Sequence, residues 1–265
     1  MNYAFLGAGK MALALIHGML RANLCTPGQI TVSSRSQASL ENVAAATSVN
    51  VVRTNADAVR AADVVILCVK PIDALDAIAQ AKEEFAGKFL ISVVTGLTIS
   101  AMEAAAPGAR VMRAMPNTAA MIGKSATALA PSPTLSHQDI NLASDIFEAV
   151  GEVFPANEKQ LDAITGLSGS GPAFIYLILE ALSDGGVAAG LPRKMALDLA
   201  IETVAGAAEM AASTKEHPAI LREMVTSPGG TTIAGLTALE KGGVRAAFIS
   251  AVLAAAARSK ELSAS

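Results

Sequence analysis

The residues with the most chemical promise are Ser227-Pro228-Gly229-Gly230-Thr231-Thr232-Ile233-Ala234-Gly235-Leu236. A proline, two glycines and two threonines ahead of an apolar run read as a loop opening into a helix. The glycines permit positive φ and let another molecule approach the backbone. A threonine suits the N-cap, and the first N–H groups of a helix lack internal partners. Such an end attracts an anion, for example a carboxylate, with no charged side chain required. By itself the stretch is more often an ordinary glycine turn before a helix, so the rest of the chain must decide.

A second chemical stretch lies at the start. Tyr3-Ala4-Phe5-Leu6 is a short apolar strand running straight into Gly7-Ala8-Gly9-Lys10-Met11-Ala12, and a helix follows with Met11, Leu15 and Met19 on one face. This is the glycine pattern of a dinucleotide fold. Gly7 makes the tight turn, Gly9 lets a pyrophosphate approach, and Ala12 keeps helix close to strand. The next strand, Ile30-Thr31-Val32, ends in Ser33-Ser34-Arg35-Ser36. An NAD-selective site usually carries an acidic residue there, about twenty residues after the glycines. A guanidinium and hydroxyls suit a 2′-phosphate instead, which favours NADPH, with NADH possible.

The elements that must position these residues follow an α/β rhythm. Residues 37–46 are helical, Val49-Asn50-Val51-Val52 is a strand, and Asn55-Ala56-Asp57 opens a helix. Residues 63–69 are an almost unbroken β-type run, as expected for a strand covered on both faces, and it stops at Lys70-Pro71. Residues 89–94 and 110–115 are the next strands, ending at Thr95-Gly96 and Pro116-Asn117-Thr118. Residues 125–129 add a strand, 136–150 a helix and 151–154 the last strand. After Pro155-Ala156-Asn157 only helical periodicity remains. The expected architecture is α/β: a Rossmann-type dinucleotide-binding domain over 1–156, then an all-α domain over 157–265 for substrate and dimerisation. Its first long helix follows Ser168-Gly169-Ser170-Gly171-Pro172 and spans 174–186, with Tyr176, Glu180 and Asp184 as a narrow polar stripe on a mostly buried cylinder. Pro192 and Pro218 start two further helices, and 244–261 is an alanine-rich amphipathic helix suited to a dimer face.

Composition narrows the partners. The chain has 265 residues, 52% hydrophobic but only 3% aromatic, with a net charge of -3 and no basic cluster, which argues against nucleic acid. Cys25 and Cys68 are too few for a disulfide framework, and His17, His137 and His217 stand apart, so no metal site is expected. No apolar run reaches the length of a membrane span and no signal peptide precedes the first strand, pointing to the cytoplasm.

Together these motifs make the sequence resemble the Δ1-pyrroline-5-carboxylate reductase family over essentially its whole length. The resemblance rests on Phe5-Leu6-Gly7-Ala8-Gly9-Lys10-Met11-Ala12, Val69-Lys70-Pro71, Met115-Pro116-Asn117-Thr118, Leu167-Ser168-Gly169-Ser170-Gly171-Pro172-Ala173 and Ser227-Pro228-Gly229-Gly230-Thr231-Thr232. The last two are far more specific than the glycine fingerprint. Met115, often valine or another small residue in the family, and Thr231, often alanine, depart from the pattern without touching either site. The resemblance implies NAD(P)H-dependent reduction of a cyclic imine to L-proline, by a homodimer or a ring of dimers whose helical domains interlock. It implies that Thr232 is the catalytic hydroxyl at the substrate nitrogen, and that Ser227 with the amides of Gly230, Thr231 and Thr232 holds the carboxylate. Cofactor contacts are implied for Gly7, Ala8, Gly9, Lys10, Met11, Ser33, Ser34, Arg35, Asn55, Val69, Lys70, Pro71 and Asn117.

Three other readings compete. The β-hydroxyacid dehydrogenases carry a catalytic lysine after a similar glycine stretch; this chain has Phe174, Ile175 and Tyr176 there, and alcohol oxidation lacks its acid–base group. A reductase for another cyclic imino acid shares every feature. A non-catalytic NADP(H) sensor would need the glycine loop and Arg35 but not the Thr232 pocket, and NADPH oxidation on adding imine separates it from an enzyme.

Overall fold

The structure is a computed structural model of the 265-residue chain and describes residues 1–264. By compactness it divides into one unit comprising Met1–Ser170 and Leu253–Ser265, and a second comprising Gly171–Val252.

The first unit is an eight-stranded sheet in the order β3-β2-β1-β4-β5-β6-β7-β8. The strands are β1 (Tyr3–Leu6), β2 (Ile30–Ser33), β3 (Asn50–Val52), β4 (Val64–Leu67), β5 (Phe89–Ser92), β6 (Arg110–Met115), β7 (Ser125–Pro131) and β8 (Gly151–Pro155). The first six are parallel, β7 turns back antiparallel on β6, and β8 runs parallel to β7. Helices α1 (Lys10–Arg21), α2 (Gln37–Thr47), α3 (Asn55–Arg60), α4 (Ala74–Ala79), α5 (Ile99–Ala105) and α6 (His137–Glu148) connect them. This is the Rossmann-type arrangement, in which the direction of chain progression reverses beside β1.

The pleat of β1 explains why the strands read as unbroken apolar runs. Tyr3 and Phe5 enter a core shared with Leu15, Ile16 and Met19 of α1, while Ala4 and Leu6 face a second core with Ala58, Val59 and Phe85. Both sheet faces are covered, so alternation with polar residues is lost. The register pairs Tyr3 with Ile30 on one side and Val64 on the other, which brings the carboxyl ends of β1, β2 and β4 to one edge.

Beyond β8 the first unit contains α7 (Leu161–Ile164), and the glycine-rich residues that follow are coiled rather than open. Thr165–Gly169 forms a π-helical turn leading into α8 (Gly171–Ala188). The sequence placed the helix start after Pro172; in the structure α8 begins at Gly171, directly behind this π-helical turn. The Thr165 hydroxyl donates to the Leu161 carbonyl at 2.7 Å and the Ser170 N–H to the Thr165 carbonyl at 2.8 Å, satisfying the backbone despite the glycines.

The second unit is helical: α8, α9 (Arg193–Thr214), α10 (Pro218–Met224), α11 (Thr231–Lys241) and the first part of α12 (Val244–Ala264). α8 packs on α9 where Gly186 has no Cβ; one placed there would lie 3.0 Å from the Ala196 Cβ. The expectation that α8 is buried on most sides does not hold within the single chain. Ile175, Leu177 and Leu182 are exposed in addition to Tyr176 of the polar stripe, and Ser183 alone is buried among its described residues.

Candidate active site

A cavity of about 470 Å³ opens at the sheet edge where β1, β2 and β4 end. Gly7 shapes its floor. Its φ of +108° is left-handed territory, and a Cβ there would lie 2.6 Å from the Cys68 carbonyl oxygen. Gly7 N–H donates to the Ser33 carbonyl at 2.9 Å, tying the turn to β2. Gly9 is the N-cap of α1, with no capping side chain, no acidic residue in the first turn, and nothing within 4 Å of where a Cβ would stand. The start of this 12-residue helix is thus open and electropositive, the setting a pyrophosphate needs. A dinucleotide fits the residues present.

Of the cofactor residues expected from sequence, Gly7, Ala8, Gly9, Ser33, Ser34, Arg35, Asn55, Val69 and Lys70 line this cavity. Pro71 lines a neighbouring one with Lys70 and Thr95. Lys10 and Met11 begin α1, with Met11 packed against the core. Asn117 is elsewhere: its side-chain amide donates to the Ser168 carbonyl at 3.2 Å and its Oδ1 accepts from Ala119 N–H at 3.1 Å, so it braces the π-turn.

Several of the lining groups are already engaged. Ser33 is fully buried and its hydroxyl donates to Asn55 Oδ1 at 2.7 Å. The Asn55 amide in turn donates to the Ala77 carbonyl at 3.2 Å and to Gln80 Oε1 at 3.0 Å. These side chains hold β2, α3 and α4 together; at the β2 turn the Ser34 hydroxyl accepts from the Ser36 N–H at 3.2 Å and the Ser36 hydroxyl from the Ser39 N–H at 3.3 Å, which leaves their O–H groups to donate. Sequence reasoning missed Ser36, Ser39, Asp73, Asp76, Ala77 and Gln80 on the cavity wall. The last four stand just after Lys70-Pro71, and a fold-level rule that the strand-end loops face one cleft was the available signal. Burial pushes the thiol of the lining residue Cys68 well above the usual cysteine range. Among the described residues no group of three His, Cys, Asp or Glu is placed to hold a metal.

The second constellation belongs to the helical unit. Gly229 has φ of +66°, and Gly230 is the N-cap of α11, extended at φ −80° and ψ −178°. The expected threonine cap is therefore corrected to glycine. A Cβ on Gly230 would lie 2.6 Å from the Ser227 hydroxyl oxygen, so a larger residue would have to displace that side chain. The Gly230 N–H is committed to the Ser227 carbonyl at 3.1 Å, so that amide is not free for a carboxylate. Thr231 and Thr232 are the first two helical residues, with no capping side chain and no acidic residue nearby in the turn. Thr237, deeper in the helix, returns its hydroxyl to the Ile233 carbonyl at 2.8 Å. Thr232 has no preceding turn to bond, and its half-buried hydroxyl has no partner among the described residues.

Comparison with known proteins bears on both constellations. Residues 158–262 match the family model described as pyrroline-5-carboxylate reductase dimerisation, and residues 2–96 match that described as NADP oxidoreductase coenzyme F420-dependent. The pyrroline-5-carboxylate reductase of Arabidopsis thaliana is 44% identical over 260 residues, 98% of this chain and 94% of that protein. A pyrroline-5-carboxylate reductase structure from Coxiella burnetii superposes with TM-score 0.91 at 38% identity, covering 99% of this chain and 98% of that one. That of Plasmodium falciparum pyrroline carboxylate reductase, with NADP bound, gives TM-score 0.91 at 31% identity and the same coverage. With a Rossmann-type sheet edge, an uncapped glycine-threonine helix end and relatives matched from end to end, the chain belongs to the pyrroline-5-carboxylate reductase family.

Proposed function

We propose that this chain reduces the cyclic imine 1-pyrroline-5-carboxylate to L-proline with NADPH, the last step of proline synthesis. The observation that carries the reading beyond family membership is the start of α11. Two amides without a cap lie beside a hydroxyl without a partner, an arrangement suited to an amino-acid-like anion.

The reaction adds a hydride to the imine carbon and a proton to the nitrogen. Bound NADPH supplies the hydride. An imine is already electrophilic, more so once protonated, so the protein must chiefly position it and offer nitrogen a hydrogen-bond partner. The amides of Thr231 and Thr232 hold the carboxylate, with Ser227 and Gly230 shaping the turn, and the Thr232 hydroxyl meets the nitrogen. Gly7, Ala8 and Gly9, with the backbone of Lys10 and Met11, hold the pyrophosphate. Ser34 and Arg35 face the 2′-phosphate, with Ser33 and Asn55 bracing that turn; Val69, Lys70 and Pro71 shape the wall, and Asn117 acts by bracing the π-turn. NADH is a weaker alternative donor.

In the same reading, the functional division falls between 156 and 157. It is supported by the end of the sheet at Pro155 and by the start of the dimerisation family match at 158. The helical part builds a homodimer or a ring of dimers. Unpaired Cys25 and Cys68 suit the reducing cytoplasm, and no described helix is long and apolar enough to cross a membrane.

The test compares 1-pyrroline-5-carboxylate with 1-pyrroline, which lacks the carboxylate, while following NADPH oxidation. The carboxylate substrate should be reduced far more efficiently. Equal kcat/KM for the two imines would show that the α11 end does not recognise the carboxylate.

A further inference from the structure

The cofactor reading leaves one ion pair of the sheet-edge cavity unexplained. The Arg35 guanidinium lies 2.7 Å from the Asp73 carboxylate. Arg35 follows β2, Asp73 closes the short turn Pro71–Asp73 after β4, and both line the same cavity, so the pair bridges its two lips. The turn is well fixed: Pro71 presets its first position, and the Asp73 N–H donates to the Lys70 carbonyl at 3.0 Å. Asp73 is also the N-cap of α4, yet its side chain accepts no capping bond, so the carboxylate is available to Arg35. The guanidinium is 79% exposed and the carboxylate 23%, which leaves the arginine the more mobile partner. Arg35 and Lys70 are matched by Asp73 and Asp76 among the charged lining residues. A phosphate entering this cavity therefore meets as many carboxylates as cations.

We propose that Asp73 is a specificity-determining residue that competes with the 2′-phosphate for the Arg35 guanidinium. This holds the preference for NADPH over NADH below what Arg35 alone would give. The inference rests on the reading that the cavity takes the adenosine end of the cofactor. A cofactor with a free 2′-hydroxyl leaves the Arg35–Asp73 pair intact. A 2′-phosphate must draw the guanidinium away from, or share it with, a carboxylate of its own sign. An exposed ion pair is weak, so the competition is modest, a factor of roughly three to five in affinity. Asp73 is a positioning residue in this account: it acts on the cofactor through Arg35.

The experiment is calorimetric titration of the full-length protein with NADP+ and NAD+ at fixed ionic strength. Asp73→Asn should tighten NADP+ by roughly three- to fivefold and leave NAD+ within about twofold. Asp73→Ser, which places a favoured cap residue at the same helix start, should behave alike and guards against a folding effect. Arg35→Ala should weaken NADP+, and the gain from Asp73→Asn should largely vanish in the Arg35→Ala background. An unchanged NADP+ to NAD+ affinity ratio in both Asp73 variants would overturn the inference. So would a gain that persists undiminished without Arg35, since that marks direct repulsion of the phosphate. Failure of the wild-type protein to bind either dinucleotide would instead remove the cavity reading, and the competition with it.

Discussion

At the scale of single residues, the proposed chemistry turns on Thr232. Its position in the first turn of α11 explains why a threonine serves here. Farther along the helix a hydroxyl bonds back to its own backbone, as Thr237 does to Ile233, and is lost to a ligand. In the proposed mechanism, deleting the Thr232 hydroxyl removes one neutral or charge-assisted hydrogen bond to the substrate nitrogen, about 1–3 kcal/mol. If that bond is made mainly in the transition state, Thr232→Ala lowers kcat by roughly 10- to 100-fold, while Thr232→Ser keeps most activity. Wild-type kcat and KM in Thr232→Ala would remove the hydroxyl from the mechanism. The glycine floor of the sheet-edge cavity and the glycine-to-helix start of α11 were legible in the sequence because both follow from backbone position. The inward turn of the Ser33 hydroxyl and the pairing of Arg35 with Asp73 were not. They depend on which strand-end loops face each other, and a local motif does not carry that information.

At the scale of elements, the helix ends decide much of the geometry, and the sequence placed the elements better than their ends. β1 and β4 were plain because burial on both faces leaves only apolar residues. Threonine propensity suggested a threonine cap on α11, but the cap position falls on Gly230, whose N–H bonds back to the Ser227 carbonyl. The sequence put the start of the next helix after Ser168–Pro172, whereas side-chain and backbone bonds wind 165–169 into a π-helical turn and α8 starts at Gly171. The reversal at β7 was not readable either, since a strand's periodicity is the same in both directions. α6 offers a test of an element held by its cap. Ser136 and Asp139 form a reciprocal capping box, and Arg110 of β6 adds an ion pair to the Asp139 carboxylate. Burial alone would raise the Asp139 carboxyl, but hydrogen bonds from Ser136 and Arg110 outweigh it and hold the group below the usual aspartate range. The folded-state value is depressed, so the stabilisation is present above the unfolded value of about 3.9 and is lost as pH falls through the folded one. Asp139→Asn should lower the urea midpoint near pH 7, and the gap to wild type should narrow toward about pH 3. A gap that stays constant over that range would mean the carboxylate charge contributes nothing.

At the scale of the whole molecule, the two compact units differ in how they bury themselves. The first carries two full cores on a sheet; in the second, Ser183, Ala196 and Ala200 are the buried residues among those described. A helical unit so thinly buried, with Leu177 66% and Leu199 52% exposed, gains little from its own packing and needs a second surface. The alanine-rich stretch 244–261 had pointed to burial between subunits, although the other exposed faces were not visible without the helices in place. Leu177→Glu should fold as a protomer, because the side chain is exposed there, but should shift the protein toward monomer in light scattering if α8 is a dimer face. Unchanged mass would exclude Leu177 from the interface. The central claim remains catalytic, and product stoichiometry tests it most directly. Incubating the protein with 1-pyrroline-5-carboxylate and NADPH should yield one L-proline for each NADPH consumed, with no NADPH loss when the imine is omitted. No proline formed, or NADPH consumed without it, would contradict the account.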